Sequence, residues 1–174
     1  MREFKTYLPH LPPRQYVSGE THRYLGKQYR LKVAASDDEG VKLVSGHLFV
    51  YTAEPQDKEA IKQLLDDWYR GHAHRIFQER LDACFPRVAK YGLEYPSFEI
   101  RQMAKRWGSC TPEGKILLNL KLIQAPKNLI DYVVMHELCH LKEHHHGAAF
   151  YALIGRAMPD WQDRRQRLNE LDVG

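Results

Sequence analysis

The stretch His136-Glu137-Leu138-Cys139-His140 decides the fold of this chain and the chemistry we expect from it. Because a helix turns by about 100° per residue, histidines four positions apart lie on one face, one turn above each other. Both imidazoles can then reach one metal ion at about 2.0–2.1 Å. Glu137 points beside that ion, where a carboxylate can take a proton from water that the metal activates. The pattern predicts a zinc-dependent hydrolase with Glu137 as general base.

The helix that carries this motif is the most hydrophobic one predicted in the sequence. It begins at Ala125-Pro126, since proline suits a first helical position. Its predicted buried face consists of Leu129, Ile130, Val133, Val134 and Leu138. Polar side chains on such a helix need a reason to be buried, and a metal site supplies one. The alternative is a solvated histidine and glutamate face on a packed helix.

A catalytic zinc site needs a third protein ligand and an open position. His144 continues the helical stripe, but on an unbroken helix it would lie about 12 Å beyond His136 along the axis. His146 stands just before Gly147, a natural point for a helix to end. We therefore predict one Zn²⁺ per chain on His136, His140 and His146, with His144 as the alternative third ligand. Another divalent metal would suit the same side chains.

The rest of the chain predicts an α+β fold. Glycines separate short alternating runs at residues 21–25, 28–33, 41–44 and 47–52, a pattern typical of hairpins. This indicates an N-terminal antiparallel β region over residues 1–55, followed by a metal-hydrolase core over residues 56–174. In that core, predicted helices cover residues 57–91, with Pro86 ending or kinking the helix, then 148–157 and a last segment after Pro159. Predicted strands at 97–106 and 115–122 pair as a hairpin, so that the metal helix packs on a small antiparallel sheet.

The composition fits an intracellular globular protein. No apolar run approaches the ~18 residues that span a bilayer, and no signal-peptide core is present, so we expect a cytoplasmic protein without a membrane partner. Three cysteines without a CxxC pair argue against a disulfide framework. The basic residues near the C-terminus favour a solvated helix face, with a nucleic-acid partner as the alternative. These residues are Arg156, Arg164, Arg165 and Arg167.

Several segments together resemble a known family. They are residues 101–110 (RQMAKRWGSC), 118–119 (LN), 130–134 (IDYVV), 136–141 (HELCHL), His146 and 150–151 (FY), with 16–20 (YVSGE) and 24–26 (YLG) in the first half. On these segments the chain resembles the YgjP-like metal-dependent hydrolases, related to the SprT and WLM zincin metallopeptidases. The resemblance implies a zincin-like fold, metal ligands at His136, His140 and His146, and a catalytic acid/base at Glu137. Phe150-Tyr151 stands where a Phe-Trp pair is common in that family.

Metal-activated water can attack a peptide carbonyl or a phosphorus centre, so the motif leaves the substrate open. A metallopeptidase is favoured, because a strand beside the metal helix commonly pairs with an extended peptide, and Arg106 and Ser109 are candidate substrate contacts. The family label also allows a nucleoside triphosphate (UTP-type) pyrophosphatase. That enzyme would set basic residues against phosphates: Lys105, Arg106, Lys115, Lys121 or Lys127. A non-catalytic module with a structural zinc is the second alternative, although such a site normally has four protein ligands.

Four further residues near the motif have predicted supporting roles. Trp107 is expected to fill the core under the site. Asn119, Asp131 and Tyr151 are candidates for orienting the ligands.

Overall fold

The computed structural model describes residues 12–171, so the outer ends of the two predicted domains, residues 1–11 and 172–174, lie outside it. The described elements are β1 (Thr21–Tyr24), β2 (Lys27–Ala35), β3 (Gly40–Val44), β4 (His47–Thr52), α1 (Lys58–Cys84), α2 (Pro86–Ala89), β5 (Phe98–Arg101), β6 (Gly108–Cys110), β7 (Ile116–Asn119), a 3-10 helix (Leu120–Gln124), α3 (Lys127–Lys142), α4 (Ala148–Ala157) and α5 (Trp161–Asn169). The α+β class predicted from the sequence is confirmed. The division at residue 55 stays a prediction.

The N-terminal sheet has the strand order β1-β2-β4-β3. All four strands form where the alternating runs predicted them, and the β1–β2 and β3–β4 pairs are antiparallel hairpins. The central pair β2–β4 is parallel, with Leu31 opposite Leu48. The prediction of a wholly antiparallel region is wrong for this pair. The chain reverses twice between β2 and β4, so the two strands run the same way.

The second sheet has the order β5-β7-β6, and its pairing differs from the predicted hairpin. β5 pairs with β7 in parallel, whereas β6 forms the antiparallel hairpin with β7. The turn lies between Thr111 and Lys115, where the Thr111 N–H donates to the Lys115 carbonyl at 2.8 Å. Gly108, Ser109 and Cys110, which the sequence indicated as turn, are the strand β6.

The long helix α1 joins the two sheets. Asp57 caps it by accepting from the N–H groups of Glu59 and Ala60, and the helix ends at Cys84 just before Pro86, as predicted. Its first half packs on the inner face of the N-terminal sheet, in a cluster of Leu31, Leu48, Val50, Ile61 and Leu65. Its second half packs in the larger core around α3.

Helix α3 lies at the centre of that larger core. Ten of the eleven positions from Leu129 to Cys139 are buried, Asp131 being the exception. The helix begins at Lys127, directly after the predicted start at Ala125-Pro126. Burial on all sides explains its continuous apolar sequence. Among residues 12–171, no helix is long and apolar enough to cross a membrane. A cytoplasmic location stays a prediction.

Candidate metal centre

The end of α3 makes the metal centre geometrically feasible. The helix ends at Lys142, and Glu143 is extended with φ −114° and ψ 96°. The helical geometry therefore stops at Glu143, four residues before Gly147, which the sequence had indicated as the end of the helix. Residues 143–147 turn back over the helix, and α4 begins at Ala148. This early exit allows His146 to face the two histidines of α3.

Three imidazole nitrogens converge at this point. His140 Nε2 lies 3.0 Å from His136 Nε2 and 2.6 Å from His146 Nε2, and the remaining pair is 3.2 Å apart. Nitrogens bound to one tetrahedral zinc ion are about 3.3 Å apart. The three side chains could therefore hold one metal ion after a small outward shift. His144 and His145 are exposed and lie outside this group.

The two histidines of α3 are in the form that binds metal. His140 Nδ1 lies 3.0 Å from the Glu143 carbonyl, so Nδ1–H donates there and the Nε2 lone pair faces the cluster. Burial, together with the charges of His140 and His146, holds the pKa of His136 far below its usual value. A neutral imidazole is the ligand that zinc requires.

One aromatic ring supports all three imidazoles. Phe150 is buried on α4, and its ring centroid lies 4.5 Å from that of His140, 4.9 Å from His136 and 5.0 Å from His146. The His140 and Phe150 rings are stacked, with 24° between their planes. Sequence reasoning noted Phe150 only through the family resemblance. Phe150 lies four residues after His146, in the first turn of α4, and this short spacing was the signal that could have identified it.

Glu137 lies beside the histidines in a closely packed position. It is 2% exposed, and burial raises the pKa of its carboxyl to about 8, against the opposing charge of Arg106. A Cβ at Gly108 would lie 3.0 Å from Glu137 Oε1 and 3.1 Å from Val133 Cγ1. Glycine therefore allows β6 to approach α3 at the carboxylate. A carboxyl group with a pKa near neutrality can exchange a proton in both directions.

Known proteins resemble this chain in sequence and in structure. The family described as YgjP-like, metallopeptidase domain, matches residues 1–171. The chain belongs to this family. No curated protein matches the sequence. The crystal structure of the metallopeptidase zymogen abylysin from Pyrococcus abyssi is similar at 18% identity and a TM-score of 0.48, over 53% of this chain and 90% of that chain.

In this YgjP-like protein, the candidates for orienting the ligands lie elsewhere. Asn119 donates through Nδ2 to the carbonyls of Met103 and Arg106, at 2.8 and 2.7 Å, and so fixes the segment that leads into β6. Asp131 binds Arg80 on α1. Tyr151 stacks on Trp161, with ring centroids 5.5 Å apart. The group that orients His140 is instead the Glu143 carbonyl, which sequence cannot indicate.

The strand β6 of the YgjP-like fold is an edge strand, and within residues 12–171 no strand pairs with its outer side. The backbone of Trp107 accepts from the Asn119 N–H, and the Thr111 N–H donates to the Lys115 carbonyl. Because successive residues of a strand direct their N–H and carbonyl groups to opposite sides, those of Gly108 and Cys110 point to the free edge. Alternation also directs the Ser109 side chain to the sheet face opposite Glu137. Arg106 is exposed just before the strand, and Trp107 is buried, as predicted.

Proposed function

We propose that this YgjP-like protein is a zinc-dependent metallopeptidase, with His136, His140 and His146 as ligands of one Zn²⁺ and Glu137 as general base. The observation that carries the proposal is the convergence of three Nε2 atoms beside a buried carboxyl group. When bound, the ion would polarise the substrate carbonyl and lower the pKa of water. The family match to a metallopeptidase domain supports the same chemistry.

The buried carboxyl of Glu137 has the properties that proton transfer needs. It would accept a proton from the attacking water and return it to the leaving amine. The raised pKa of this group suits both steps near neutral pH. The Glu143 carbonyl and Phe150 would hold His140 in one orientation and keep water from the back of the ligand set.

The free edge of β6 is the proposed site for the substrate backbone. An extended peptide would pair with the backbone groups of Gly108 and Cys110, as an added strand. The close approach of Gly108 to Glu137 supports this placement, because the peptide would then lie near the carboxylate. Arg106, exposed before β6, remains the candidate for a charged contact with the substrate, and a contact from Ser109 stays a prediction.

The two alternatives receive less support. Two of the five basic residues considered for phosphate binding already have acidic partners: Lys115 pairs with Glu99 at 3.5 Å and Lys127 with Glu79 at 2.9 Å. A closed structural zinc site would need a fourth ligand, and within residues 12–171 the metal-binding group consists of three histidines.

The experiment compares wild type with Glu137→Gln. Both proteins are loaded with zinc and incubated with a peptide library and with a panel of nucleoside triphosphates. We expect one zinc per chain in both, peptide cleavage by wild type only, and no triphosphate hydrolysis. Equal cleavage by Glu137→Gln would remove Glu137 from the mechanism. Hydrolysis of a nucleoside triphosphate without peptide cleavage would overturn the proposal of a peptidase.

A further inference from the structure

The N-terminal sheet has a second face, away from α1, which the metal centre does not use. Along β4 the side chains of Leu48, Val50 and Thr52 are buried, whereas those of His47, Phe49 and Tyr51 are partly exposed on the opposite side. We call this opposite side the outer sheet face. It consists of His47, Phe49 and Tyr51 on β4, Arg30, Lys32 and Ala34 on β2, and Gly40, Lys42 and Val44 on β3.

Aromatic rings form a row along the middle of the outer sheet face. The rings of Phe49 and Tyr51 are parallel, with 9° between their planes and centroids 6.0 Å apart, and His47 continues the row 5.9 Å from Phe49. Phe49 and Tyr51 belong to neither hydrophobic core. Small residues, Ala34 and Gly40, lie directly opposite Tyr51 on the two neighbouring strands, and its ring is partly exposed.

Cations flank this row on both sides. Lys32 lies opposite Phe49 with Nζ 5.7 Å from the ring centroid, and Lys42, from the other neighbouring strand, lies 5.7 Å from the Tyr51 ring. Arg30 lies opposite His47 and is exposed. Among the described residues, none of these three cations forms a salt bridge. Cations beside partly exposed rings can contact the phosphates of a nucleic acid while the rings stack on its bases.

Acidic side chains are absent from the outer sheet face as defined. The nearest in sequence are Asp37, Asp38 and Glu39 in the turn between β2 and β3. Glu39 accepts hydrogen bonds from Thr52 Oγ1 and the Ala53 N–H at the end of the sheet. A solvent-facing sheet gains stability from oppositely charged pairs across strands, and this face uses only one sign. The outer sheet face as defined is therefore positively charged and attracts a negatively charged ligand.

We propose that the outer sheet face binds single-stranded nucleic acid. Exposed rings on a sheet provide stacking surfaces for unpaired bases, and neighbouring cations neutralise the phosphates. In this arrangement bases stack on Phe49 and Tyr51, while Lys32, Lys42 and Arg30 contact the backbone. A duplex hides its base faces and would use only the cations. An acidic peptide would likewise leave the ring row without a role.

The basic residues near the C-terminus do not form a comparable surface. Arg164 pairs with Asp160 at 3.0 Å, and Arg167 pairs with Asp163 at 3.9 Å. The guanidinium of Arg165 lies 5.4 Å from the Trp161 ring. Two of these charges are thus compensated locally. These residues are therefore less suited to a nucleic-acid partner than the outer sheet face is.

The test measures fluorescence anisotropy of labelled 15-nucleotide oligo(U) and oligo(dT) with the full-length protein, over a series of salt concentrations. We expect saturable binding of one or both, weaker binding of a 15-base-pair duplex, and a log–log salt slope near −2, because each of three phosphate contacts contributes about −0.7. The two single strands differ only in sugar and methyl group, so their order of affinity identifies the preferred type. Glu137→Gln should bind equally, which separates this proposal from the peptidase.

Two variants remove the two components of the surface. Phe49→Leu/Tyr51→Leu keeps apolar packing but removes the rings, and should weaken binding at least about fivefold. Lys32→Gln/Lys42→Gln should reduce the salt slope by about 1.4. The matched control is Arg156→Gln/Arg167→Gln, which makes the same change in net charge near the C-terminus and should leave binding unchanged. Circular dichroism of each variant verifies that the sheet is folded.

Three results would overturn the proposal. The first is an absence of saturable oligonucleotide binding at low salt. The second is an equal loss of binding in the C-terminal control. The third is duplex or poly-glutamate binding as tight as single-strand binding and unaffected by the ring variants, since that would show a response to negative charge alone.

Discussion

Arg80 on α1 donates two hydrogen bonds to Asp131 on α3, from Nε to Oδ1 at 2.6 Å and from Nη2 to Oδ2 at 2.8 Å. The pair is partly buried, with 21% and 15% of the two side chains exposed. Asp131 lies five residues before His136 on the same helix. The ion pair therefore fixes α3 against α1 close to the metal centre.

Asp131→Ala should lower the free energy of unfolding by about 1–3 kcal/mol, because two charge-assisted hydrogen bonds are lost and Arg80 is left partly buried. Chemical denaturation of the metal-free protein measures the change. The control is Glu99→Ala, which removes the more exposed pair with Arg101 and should cost less than about 1 kcal/mol. If both variants lost the same free energy of unfolding, the Arg80–Asp131 ion pair would contribute no more to stability than an exposed pair.

The choice of third ligand can be tested by zinc content. We expect His146→Ala to lose stoichiometric zinc, since its Nε2 lies 2.6 Å from that of His140. His144→Ala changes an exposed side chain outside the cluster and should keep one zinc per chain. Metal analysis after dialysis against metal-free buffer distinguishes them. Loss of zinc in His144→Ala alone would assign the ligand to His144.

The ring of Phe150 should affect the metal as well as the core. Phe150→Leu keeps an apolar side chain but removes the stacking on His140, so we expect zinc to bind about 10-fold more weakly or worse. Competition with a chromogenic chelator gives the affinity. Phe77→Leu is the control, because Phe77 is equally buried and is not among the rings that pack against the three histidines. It should lower the melting temperature and leave zinc affinity unchanged.

The predictable part of this molecule is the part that local rules determine. Helical spacing places His136 and His140 on one face. The axial distance along an unbroken helix argues against His144 as the third metal ligand. Pro126 and Gly147 correctly predicted, to within one residue, where α3 and α4 begin. Each of these conclusions depends on residues within a few turns of one another.

The parts that sequence did not predict depend on contacts between distant residues. β5 pairs in parallel with β7, a choice that no local pattern specifies. Gly108 was interpreted as part of a turn, but its small size serves the approach of β6 to Glu137. A glycine needed for close packing and a glycine needed for a turn look the same in a sequence, and only the neighbouring element distinguishes them.

Gly108→Ala tests this close approach. The added Cβ would lie 3.0 Å from Glu137 Oε1, so either β6 or the carboxylate must move. We expect peptidase activity to fall at least about 10-fold while one zinc per chain is retained, because the histidines do not contact this position. Steady-state kinetics and metal content are measured on the same preparation.

Gly71→Ala provides the control for a glycine-to-alanine change. Gly71 lies in α1, is exposed, and has nothing within 4 Å of an added Cβ. Alanine there should raise stability by about 0.5–1 kcal/mol and leave activity unchanged. Normal activity in Gly108→Ala would show that the contact between β6 and Glu137 has no role in catalysis.

The buried carboxyl of Glu137 predicts how the stability of the metal-free protein depends on pH. Its pKa is raised from 4.5 to about 8, so between these values the folded state keeps a proton that the unfolded chain releases. Stability therefore falls as pH rises through this window. Glu137→Gln carries no such charge, and its melting temperature should exceed that of wild type by a margin that grows up to about pH 8. Thermal unfolding in chelator from pH 5 to 9 measures this margin. The control is Glu94→Gln, at an exposed position, which should show no pH-dependent margin. A margin for Glu137→Gln that stays constant with pH would mean that the carboxyl is not buried as described.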